Sequence, residues 1–385
     1  MTRFFERPQS STLPILLLAG LFLGSCSSGG DGGGGASSTP PPSTSTPPPP
    51  VTQLVQQSYI KASSTGADDQ FGYLIAFSGD TLVVGAPLED SNANGVNGNQ
   101  TNDNSTDSGA VYVFTRNAGV WTQQAYLKAS NTNSGDQFGV SVAIDGDTLA
   151  VGATSESSNA TGVNGDQTNH LAPDSGAVYV FTRTSGVWSQ QAYIKASNTE
   201  AGDRFGHDIK INGETLAVGA RFEASASSGV NANQTDNSAF NAGAAYVFTR
   251  TGGVWSQQAY IKASNAGANK NFSGSISIEG DTLAVGSRLE DSNATGIDGN
   301  QGNSNAPASG AVYLFKRNAG VWTQTHYLKA SNANADDEFG DSVALSGGTL
   351  AVAAWFEASN AIGINGNQAD NSASKSGAAY IFGEQ

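Results

Sequence analysis

The stretch QFGVSVAIDGDTLAVGA, residues Gln137–Ala153, contains two short apolar runs that are joined by a glycine turn. In the first run, FGVSVAI, large apolar residues alternate with small ones, as they do in a β-strand whose two faces pack differently. Asp145-Gly146 fits a tight hairpin turn because glycine accepts a positive φ there. The stretch therefore predicts an antiparallel β-hairpin.

Close copies of this hairpin recur along the chain at a constant spacing. Each copy continues with a third strand, GAVYVFTR in the second copy, and a more polar fourth strand, VWSQQAYIKAS. The five units fill residues 51–385, and no helical period interrupts them. Four antiparallel strands in each repeat predict an all-β fold in which every unit is one blade of a β-propeller. The phenylalanine of the FG pair marks the step of 67 residues: Phe71, Phe138, Phe205, Phe272 and Phe339.

The two ends of the repeat region predict how the ring closes. The last copy stops after its third strand, Gly377–Phe382, whereas the region begins with an unattached fourth strand, Gln53–Ser63. If this N-terminal strand pairs with the last blade, no strand edge is left open. The sequence thus predicts a five-bladed β-propeller of 67-residue, four-stranded repeats closed by an N-terminal strand. An open β stack is the alternative.

The residues that precede the repeats indicate where the protein is located in the cell. Residues 1–25 have a basic start and an apolar run too short to span a bilayer, which is typical of a secretory signal. Leu23-Gly24-Ser25-Cys26 resembles the lipobox of bacterial lipoproteins, which implies lipid attachment at Cys26. The alternative is an ordinary cleaved signal followed by a free thiol. Residues 26–50 are rich in Ser, Gly and Pro and are expected to form a tether between the lipid and a domain at 51–385.

The charge balance narrows the possible partners. The formal net charge is −15, and a strongly acidic chain does not attract nucleic acid. The lipobox resemblance implies attachment to the membrane through the lipid anchor, in the bacterial cell envelope as an outer-membrane lipoprotein on its surface or periplasmic side. We therefore expect a protein or glycan ligand at the cell surface.

The residue pairs FG and GAP carry a family resemblance. Phe71-Gly72 with Gly85-Ala86-Pro87 resembles the FG-GAP repeat of integrin α-subunit propellers and related bacterial surface proteins. The resemblance covers residues 51–385 and implies a propeller that acts in adhesion or protein interaction. Integrin propellers have seven blades, so the five here either form a smaller ring or are completed by another chain.

Calcium is the one cofactor that the sequence raises. In the integrin family a calcium loop occupies the first hairpin of a blade, but Asp145-Gly146-Asp147 is too short to surround an ion that takes six to eight oxygens. Some longer loops between the second and third strands begin with alternating oxygen-bearing residues. Either these are weak calcium ligands or they form Asx turns in a solvated loop. The candidates are Asp90, Asn92, Asn94, Asp291 and Asn293.

Two charged positions recur in every repeat. A glutamate follows each second strand, and we expect it to brace a loop or a blade junction, as we do an aspartate two residues before most FG pairs. A lysine recurs near the end of each fourth strand, and we expect it to protect the outer strand edge. The lysines are Lys61, Lys128, Lys195, Lys262 and Lys329; the glutamates are Glu89, Glu156, Glu223, Glu290 and Glu357.

The positions just after the second strand vary most between copies. Because they follow equivalent strand ends, they should share one face of the disc, and arginine and aromatic residues are typical of recognition surfaces. Drift at a loop junction is the alternative. The candidate recognition face comprises Arg221, Phe222, Arg288, Trp355 and Phe356.

These observations predict an envelope-anchored, non-enzymatic propeller that mediates adhesion or protein–protein interaction through loops on one face. No serine or cysteine lies in a recognisable nucleophile motif, and the three histidines occupy different repeat positions. A lectin-like propeller with sugar pockets between its blades is one alternative. A polysaccharide-degrading enzyme with two close carboxylates at the channel is another.

Overall fold

The computed structural model describes residues 54–383, so the predicted signal peptide, Cys26 and nearly all of the tether region lie outside the described residues. Within the described part the chain forms nineteen β-strands in five antiparallel sheets, and no helix. No helix that could span a membrane is found there. The sheets match the five repeats, which confirms the predicted all-β fold and five-bladed β-propeller.

Each blade adds its strands in chain order, and the first strands of neighbouring blades contact one another, so the first strand is the innermost. Blade 1 contains β1 (Ile75–Ser78), β2 (Thr81–Ala86), β3 (Ala110–Asn117) and β4 (Val120–Leu127). Blade 2 contains β5 (Phe138–Asp145), β6 (Thr148–Ala153), β7 (Ala177–Thr184) and β8 (Val187–Ile194). Blade 3 contains β9 (Phe205–Asn212), β10 (Thr215–Ala220), β11 (Ala244–Thr251) and β12 (Val254–Ile261). Blade 4 contains β13 (Ser275–Glu279), β14 (Thr282–Ser287), β15 (Ala311–Asn318) and β16 (Val321–Leu328). Blade 5 contains β17 (Phe339–Ser346), β18 (Thr349–Ala354) and β19 (Ala378–Gly383).

The predicted hairpin is present in the expected register. Asp145 pairs with Thr148, so two residues make the turn, and Gly146 adopts the positive φ of +55° that the turn requires. The third and fourth strands of blades 1 to 4 pair with a β-bulge, which leaves one fourth-strand residue unpaired. In blade 2 this residue is Gln191. A bulge redirects a side chain, and here it matters at the junction with the next blade.

The hydrophobic core lies between the blades. Val111 and Leu127 of blade 1 belong to the same buried cluster as Phe138, Tyr179 and Tyr193 of blade 2. The Phe138 ring meets Tyr179 edge-on at 5.3 Å between centroids, and equivalent pairs recur in all five blades. In blades 2 to 4 both faces are apolar because each packs against a neighbour, as expected for a propeller.

Backbone hydrogen bonds tie each blade to the next. The N–H of Phe205 donates to the carbonyl oxygen of Ser175 in the preceding blade at 2.9 Å. Gly176 has φ +81°, and a Cβ there would lie only 2.1 Å from the carbonyl oxygen of Phe205. Only glycine allows two backbones to approach this closely, so the glycine before the third strand of blades 1 to 4 fixes the spacing to the next blade.

The predicted closing strand is not confirmed. Among the described residues, 54–62 form no strand, and the sheet of blade 5 has three strands with β19 at its edge. Four blade junctions form, whereas the facing strands of blades 1 and 5 stay open to solvent, with Phe77 57% and Ile381 68% exposed.

The N-terminal segment nevertheless occupies a repeat position against blade 1. Ile60 and Ala62 pack on the blade 1 core, as Leu127 and Ala129 pack on the core of blade 2. The Ser63 hydroxyl donates to the Gln100 side chain at 2.8 Å, the contact that recurs between fourth-strand ends and the loops of later blades. The segment thus lies where the fourth strand of a preceding blade would lie.

Candidate functional site

The variable residues after each second strand lie at one end of the ring. Ala86 pairs with Ala110, whereas the hairpin turns that join first to second and third to fourth strands lie at the opposite end of the blade. The same register holds in every blade, so the two residues after the second strand lie at a common end. We call this end the recognition face. It carries Arg221, Phe222, Arg288, Trp355 and Phe356, the sequence-predicted candidates.

The prediction that the periodic lysines protect an outer edge is wrong for the four that are buried, Lys128, Lys195, Lys262 and Lys329, whereas Lys61 is exposed. In blade 2 the Lys195 ammonium is 0% exposed and donates to Glu156 Oε2 and to the Ser175 hydroxyl, both at 2.7 Å. Burial lowers the pKa of Lys195, while the carboxylate of Glu156 opposes that effect. The lysine side chain points inward because it forms an ion pair with a buried glutamate 39 residues earlier in the chain. The same ion pair recurs as Lys128–Glu89, Lys262–Glu223 and Lys329–Glu290.

Each glutamate of these pairs also organises the loop around it. Asn131 of the preceding blade donates to Glu156 Oε1 at 3.0 Å, and the backbone N–H of Ser158 donates to the same oxygen at 3.2 Å. Glu156 therefore braces a loop and a blade junction, as the sequence predicts for the periodic glutamates. All its acceptors are used within the protein, so this set has a structural role.

The periodic aspartates brace the turn before each FG pair. Asp203 accepts the N–H of Glu200 at 3.1 Å, and Asp136 accepts that of Asn133 at 3.0 Å. Burial, with the nearby charge of Glu223, raises the pKa of Asp203 to about 8. Burial and a neighbouring glutamate likewise raise the pKa of Asp136 to about 7.

A second periodic set lies at the opposite, turn-bearing end of the blades. The bulge residue Gln124 accepts the indole N–H of Trp188 in the next blade at 2.8 Å, and Arg183 stacks on that indole at 5.0 Å. Arg183 also pairs with Asp147 at 2.6 Å. The bulge thus directs an amide across the blade junction, and these residues serve packing rather than recognition.

Three arginines depart from the repeat. The chain has nine arginines, of which two precede residue 51 and four occupy the periodic position of Arg183. The remaining three are Arg204, Arg221 and Arg288. Arg204 and Arg221 both approach the ring of Phe222, and burial together with the charges of Arg221, Arg204, Arg288 and Lys210 lowers the pKa of His207, the third residue of β9. We call Arg204, Arg221, Arg288 and His207, together with Phe222, the arginine cluster.

The arginine cluster has an unusual charge environment. Arg221 stacks on Phe222 with its guanidinium carbon 4.5 Å from the ring centroid, and Arg204 approaches the same ring at 5.7 Å. Arg288 pairs with Glu338 at 3.3 Å and with Asp341 at 3.1 Å. Among the described residues no carboxylate forms an ion pair with Arg204 or Arg221. Burial and the neighbouring arginines lower the pKa of Arg221 to about 10.

Blade 5 contributes aromatic side chains to the recognition face. Trp355 and Phe356 stack with 5.2 Å between centroids and an interplanar angle of 20°, and Lys375 Nζ lies 4.5 Å from the Phe356 ring. Trp355 is 55% exposed. We call these three residues the aromatic stack. Glu338 links the two groups, because it pairs with Arg288 and lines the same hollow as Phe356 and Lys375.

The calcium candidates lie in loops where hydrogen bonds already engage several of their side chains. Asp90 Oδ1 accepts the N–H of Asp107 at 2.8 Å, and Asp291 Oδ1 accepts that of Ala308 at 3.0 Å. Asn94 accepts the N–H of Thr132 at 3.0 Å. Asn92 and Asn293 bond through their backbone N–H groups to later loop asparagines. In residues 54–383 no three carboxylate, histidine or cysteine side chains converge as metal ligands. These contacts engage Asp90, Asn94 and Asp291 in hydrogen bonds that hold the loops together.

Sequence reasoning missed Arg204, His207 and Lys375 as members of the face. Arg204 and His207 flank the FG pair of blade 3, far in the chain from the end of β10. The start of a first strand and the end of a second strand meet at one end because the two strands are antiparallel. A search for charged residues that break the repeat would have found all three.

Comparison with known protein families agrees with the repeat. The family model described as FG-GAP repeat matches five stretches of the chain: 54–114, 121–181, 188–248, 255–315 and 322–382. Each match begins at the position of a fourth-strand tryptophan or of its equivalent, Leu54, and ends in the third strand of the next blade. No curated protein matches the chain.

Proposed function

Because the chain belongs to the FG-GAP repeat family, we propose that it is a protein-interaction scaffold that acts by binding through its recognition face. One observation carries the proposal. The arginines that keep the period form ion pairs within their own blades, whereas the three arginines that break the period lie at this face, which also carries the stacked Trp355 and Phe356. A symmetric scaffold needs no such departure for stability, so recognition is the simplest use for it.

The composition of the face supports binding to a protein. Arginine and tryptophan are enriched at interface hot spots, where one large side chain contributes much of the binding free energy. Trp355 is half exposed and stacks on Phe356, so it offers a rigid apolar surface. Arg221 lies at the same end of the blades and supplies directed hydrogen-bond donors.

The proposal includes attachment to the cell envelope. A lipid at Cys26 and the tether of residues 26–50 would hold the scaffold at a membrane surface while leaving the blades free to meet a partner. The sequence of the first fifty residues supports this part. Adhesion is the corresponding physiological role, with the partner as an envelope or cell-surface protein.

The test compares partner binding by three forms of the full chain. Proteins retained by the wild type from an envelope extract are identified, and the affinity of the purified partner is then measured. Replacing Trp355 by alanine should weaken that affinity by about 30-fold, as expected for a hot-spot aromatic. The control is Val254→Ala, because Val254 is equally exposed but lies at the turn-bearing end of blade 3.

Two results would overturn the proposal. One is a wild-type chain that retains no protein, and the other is a partner that binds the Trp355 variant and the wild type equally well. Weakening by the Val254 variant alone would move the binding surface to the opposite end and would contradict the proposal as well.

A further inference from the structure

The arginine cluster differs from the other arginines of the repeat region in having unpaired members. Arg116, Arg183, Arg250 and Arg317 each form an ion pair with a carboxylate of their own blade. The protein thus provides a counter-charge for its structural arginines. Among the described residues Arg204 and Arg221 have none, although the chain as a whole carries an excess of acidic groups.

Arg221 is held in place and only partly hydrated. Its guanidinium stacks on Phe222 at 4.5 Å, and its Nε is enclosed without a hydrogen-bond partner among the described residues. Enclosing a guanidinium N–H without an acceptor is costly, and an unpaired charge adds to that cost. An anion that accepts a hydrogen bond from Arg221 would supply the missing hydrogen bond and counter-charge. The free energy regained in this way would contribute to the affinity for that ligand.

His207 adds a second unsatisfied group to the same place. Its Nδ1 is enclosed and has no hydrogen-bond partner in the described part of the chain. Burial, with the charges of Arg221 and Arg204, lowers the pKa of His207 to about 3, so the imidazole is neutral at physiological pH. It can therefore donate one hydrogen bond to a ligand without adding charge.

Acidic residues near the cluster are already engaged. Glu338 and Asp341 contact Arg288, and Asp208 pairs with Lys210 while it accepts the N–H of Ile276 at 2.8 Å. These contacts fix Arg288 at the edge of the cluster. Arg204 and Arg221 are thus the two arginines of the cluster whose charges remain available to a ligand.

We propose that the arginine cluster binds a carboxylate, carried by an acidic side chain or the C-terminus of the protein partner. The inference rests on the proposed function and names the group that the recognition face receives. Guanidinium groups bind carboxylates through two parallel hydrogen bonds, a geometry that a fixed Arg221 favours. An extended polyanion would meet repulsion from the net charge of −15, whereas one carboxylate on a protein would not.

The experiment measures anion binding directly on the full chain. The probes are the peptide acetyl-Gly-Asp-Phe-Asp-Gly-amide, its isostere with Asn for both Asp residues, and sodium sulfate. Calorimetric titration measures the affinity of each probe for the wild type and the variants. In the wild type the Nε–H resonance of Arg221, assigned by its loss in Arg221→Gln, reports contact at the site. The acidic peptide should shift this resonance and bind at least ten times more tightly than its amide isostere. Arg221→Gln should remove that preference, and the control Arg116→Gln should keep it.

The outcomes separate this inference from the proposed function. Equal binding of the two peptides, or equal loss in the Arg221 and Arg116 variants, would overturn the carboxylate site. Binding of sulfate but not of the acidic peptide would assign the site to a free anion and would also overturn it. If the partner of the Trp355 experiment binds normally while both peptides fail, the proposed function stands and only this inference falls.

Discussion

Replacing Lys61 by methionine tests whether the N-terminal segment completes blade 5. Lys61 precedes Lys128 by one repeat, and Glu357 follows Glu290 by one repeat. In a closed ring Lys61 would therefore pair with Glu357, as Lys329 pairs with Glu290 at 2.9 Å. In the structure the junction is open and Lys61 is exposed. We predict that the ring closes in solution and that Lys61 is then buried.

Blade 5 retains the rest of this site. Glu357 is buried and accepts hydrogen bonds from Asn332 at 2.9 Å and from Ser359 at 3.0 Å, which match those of Glu156 and Glu290 in other blades. Among the described residues it has no ammonium partner. Its two neutral donors leave this buried carboxylate without the counter-charge that the other glutamates have. Lys61 is the residue whose repeat position matches the lysines of those pairs.

The rim of the ring points to the same closure. In blades 1 to 3 the bulge residue of the fourth strand is a glutamine, and it accepts the indole N–H of the fourth-strand tryptophan in the next blade. These glutamines are Gln124, Gln191 and Gln258. Blade 4 has Thr325 at that position, and the corresponding fourth strand of blade 5 would carry Leu54, which has no N–H to donate. Gln57 takes the same position before Trp121. The sequence thus treats the segment as the fourth strand of blade 5.

The expected magnitude follows from the matched site in blade 2. Lys195→Met removes an ammonium that is 0% exposed and leaves Glu156 buried without its counter-charge. Breaking a buried ion pair in this way costs about 3–5 kcal/mol. Lys61→Met should cost about the same in a closed ring, whereas an exposed lysine changes stability by less than about 0.5 kcal/mol.

Denaturant unfolding of the full chain measures the two variants side by side. A Lys61 variant within about 0.5 kcal/mol of the wild type, beside a Lys195 variant that loses several kcal/mol, would refute closure. A cysteine pair then distinguishes closure within one chain from pairing between two. The register of Leu314 with His326 places Ile381 opposite Ser58, so this double substitution should form an intrachain disulfide. A covalent dimer, or no disulfide, would contradict closure within the chain.

Three further variants test the packing and electrostatics of the blades. Gly176→Ala forces a Cβ to within 2.1 Å of a backbone oxygen and should cost at least about 3 kcal/mol, whereas Gly186→Ala, with the same positive φ but open space, should cost about 1–2 kcal/mol in denaturant unfolding. Trp188→Phe removes an indole hydrogen bond of 2.8 Å and should lower stability by about 1–3 kcal/mol, while the exposed Trp355→Phe should change it by less than about 0.5 kcal/mol. Because the pKa of Asp203 is raised to about 8, the folded state keeps a proton that the unfolded state releases above about pH 4, so stability should fall between pH 4 and 8 by up to about 1.4 kcal/mol per unit. Asp203→Asn should flatten that fall, and an unchanged pH profile would show that Asp203 is ionised in the folded protein.

The period of the sequence was sufficient to predict the blades. A step of 67 residues and the FG and GA glycines define strand order, the tight first hairpin and the stacking of apolar faces. The fourth strand is shorter than predicted, since β8 ends at Ile194 rather than at Ser197. Its last residues, Lys195 to Ser197, leave the ladder because they serve the ion pair and the contact with the next blade.

The role of the periodic lysines could not be predicted from one strand at a time. Alternation along the fourth strand indicates an exposed edge, and a lysine there usually remains hydrated. The opposite outcome depends on Glu156, which lies two strands away in the same blade and offers a carboxylate that is itself buried. A comparison of the two periodic charges, which lie 39 residues apart in each copy, would have suggested the contact. Residues that recur with the same period have the same relative positions in every blade.

The arginine cluster consists of residues that break the repeat period and that the fold brings together. Its five members occupy four different repeat positions, with only Arg221 and Arg288 equivalent, so an alignment of the copies does not place them together. The meeting of β9 with the end of β10 brings Arg204 and His207 to Arg221 and Phe222. In a repeat protein, residues that keep the period explain stability, and the buried lysine–glutamate pairs of blades 1 to 4 are of this kind. Charged residues that break the period need another reason, and unpaired guanidinium groups in an acidic protein are the strongest such departure here. Because a counter-charge for Arg221 is absent among the described residues, the ligand is the most economical place to find it.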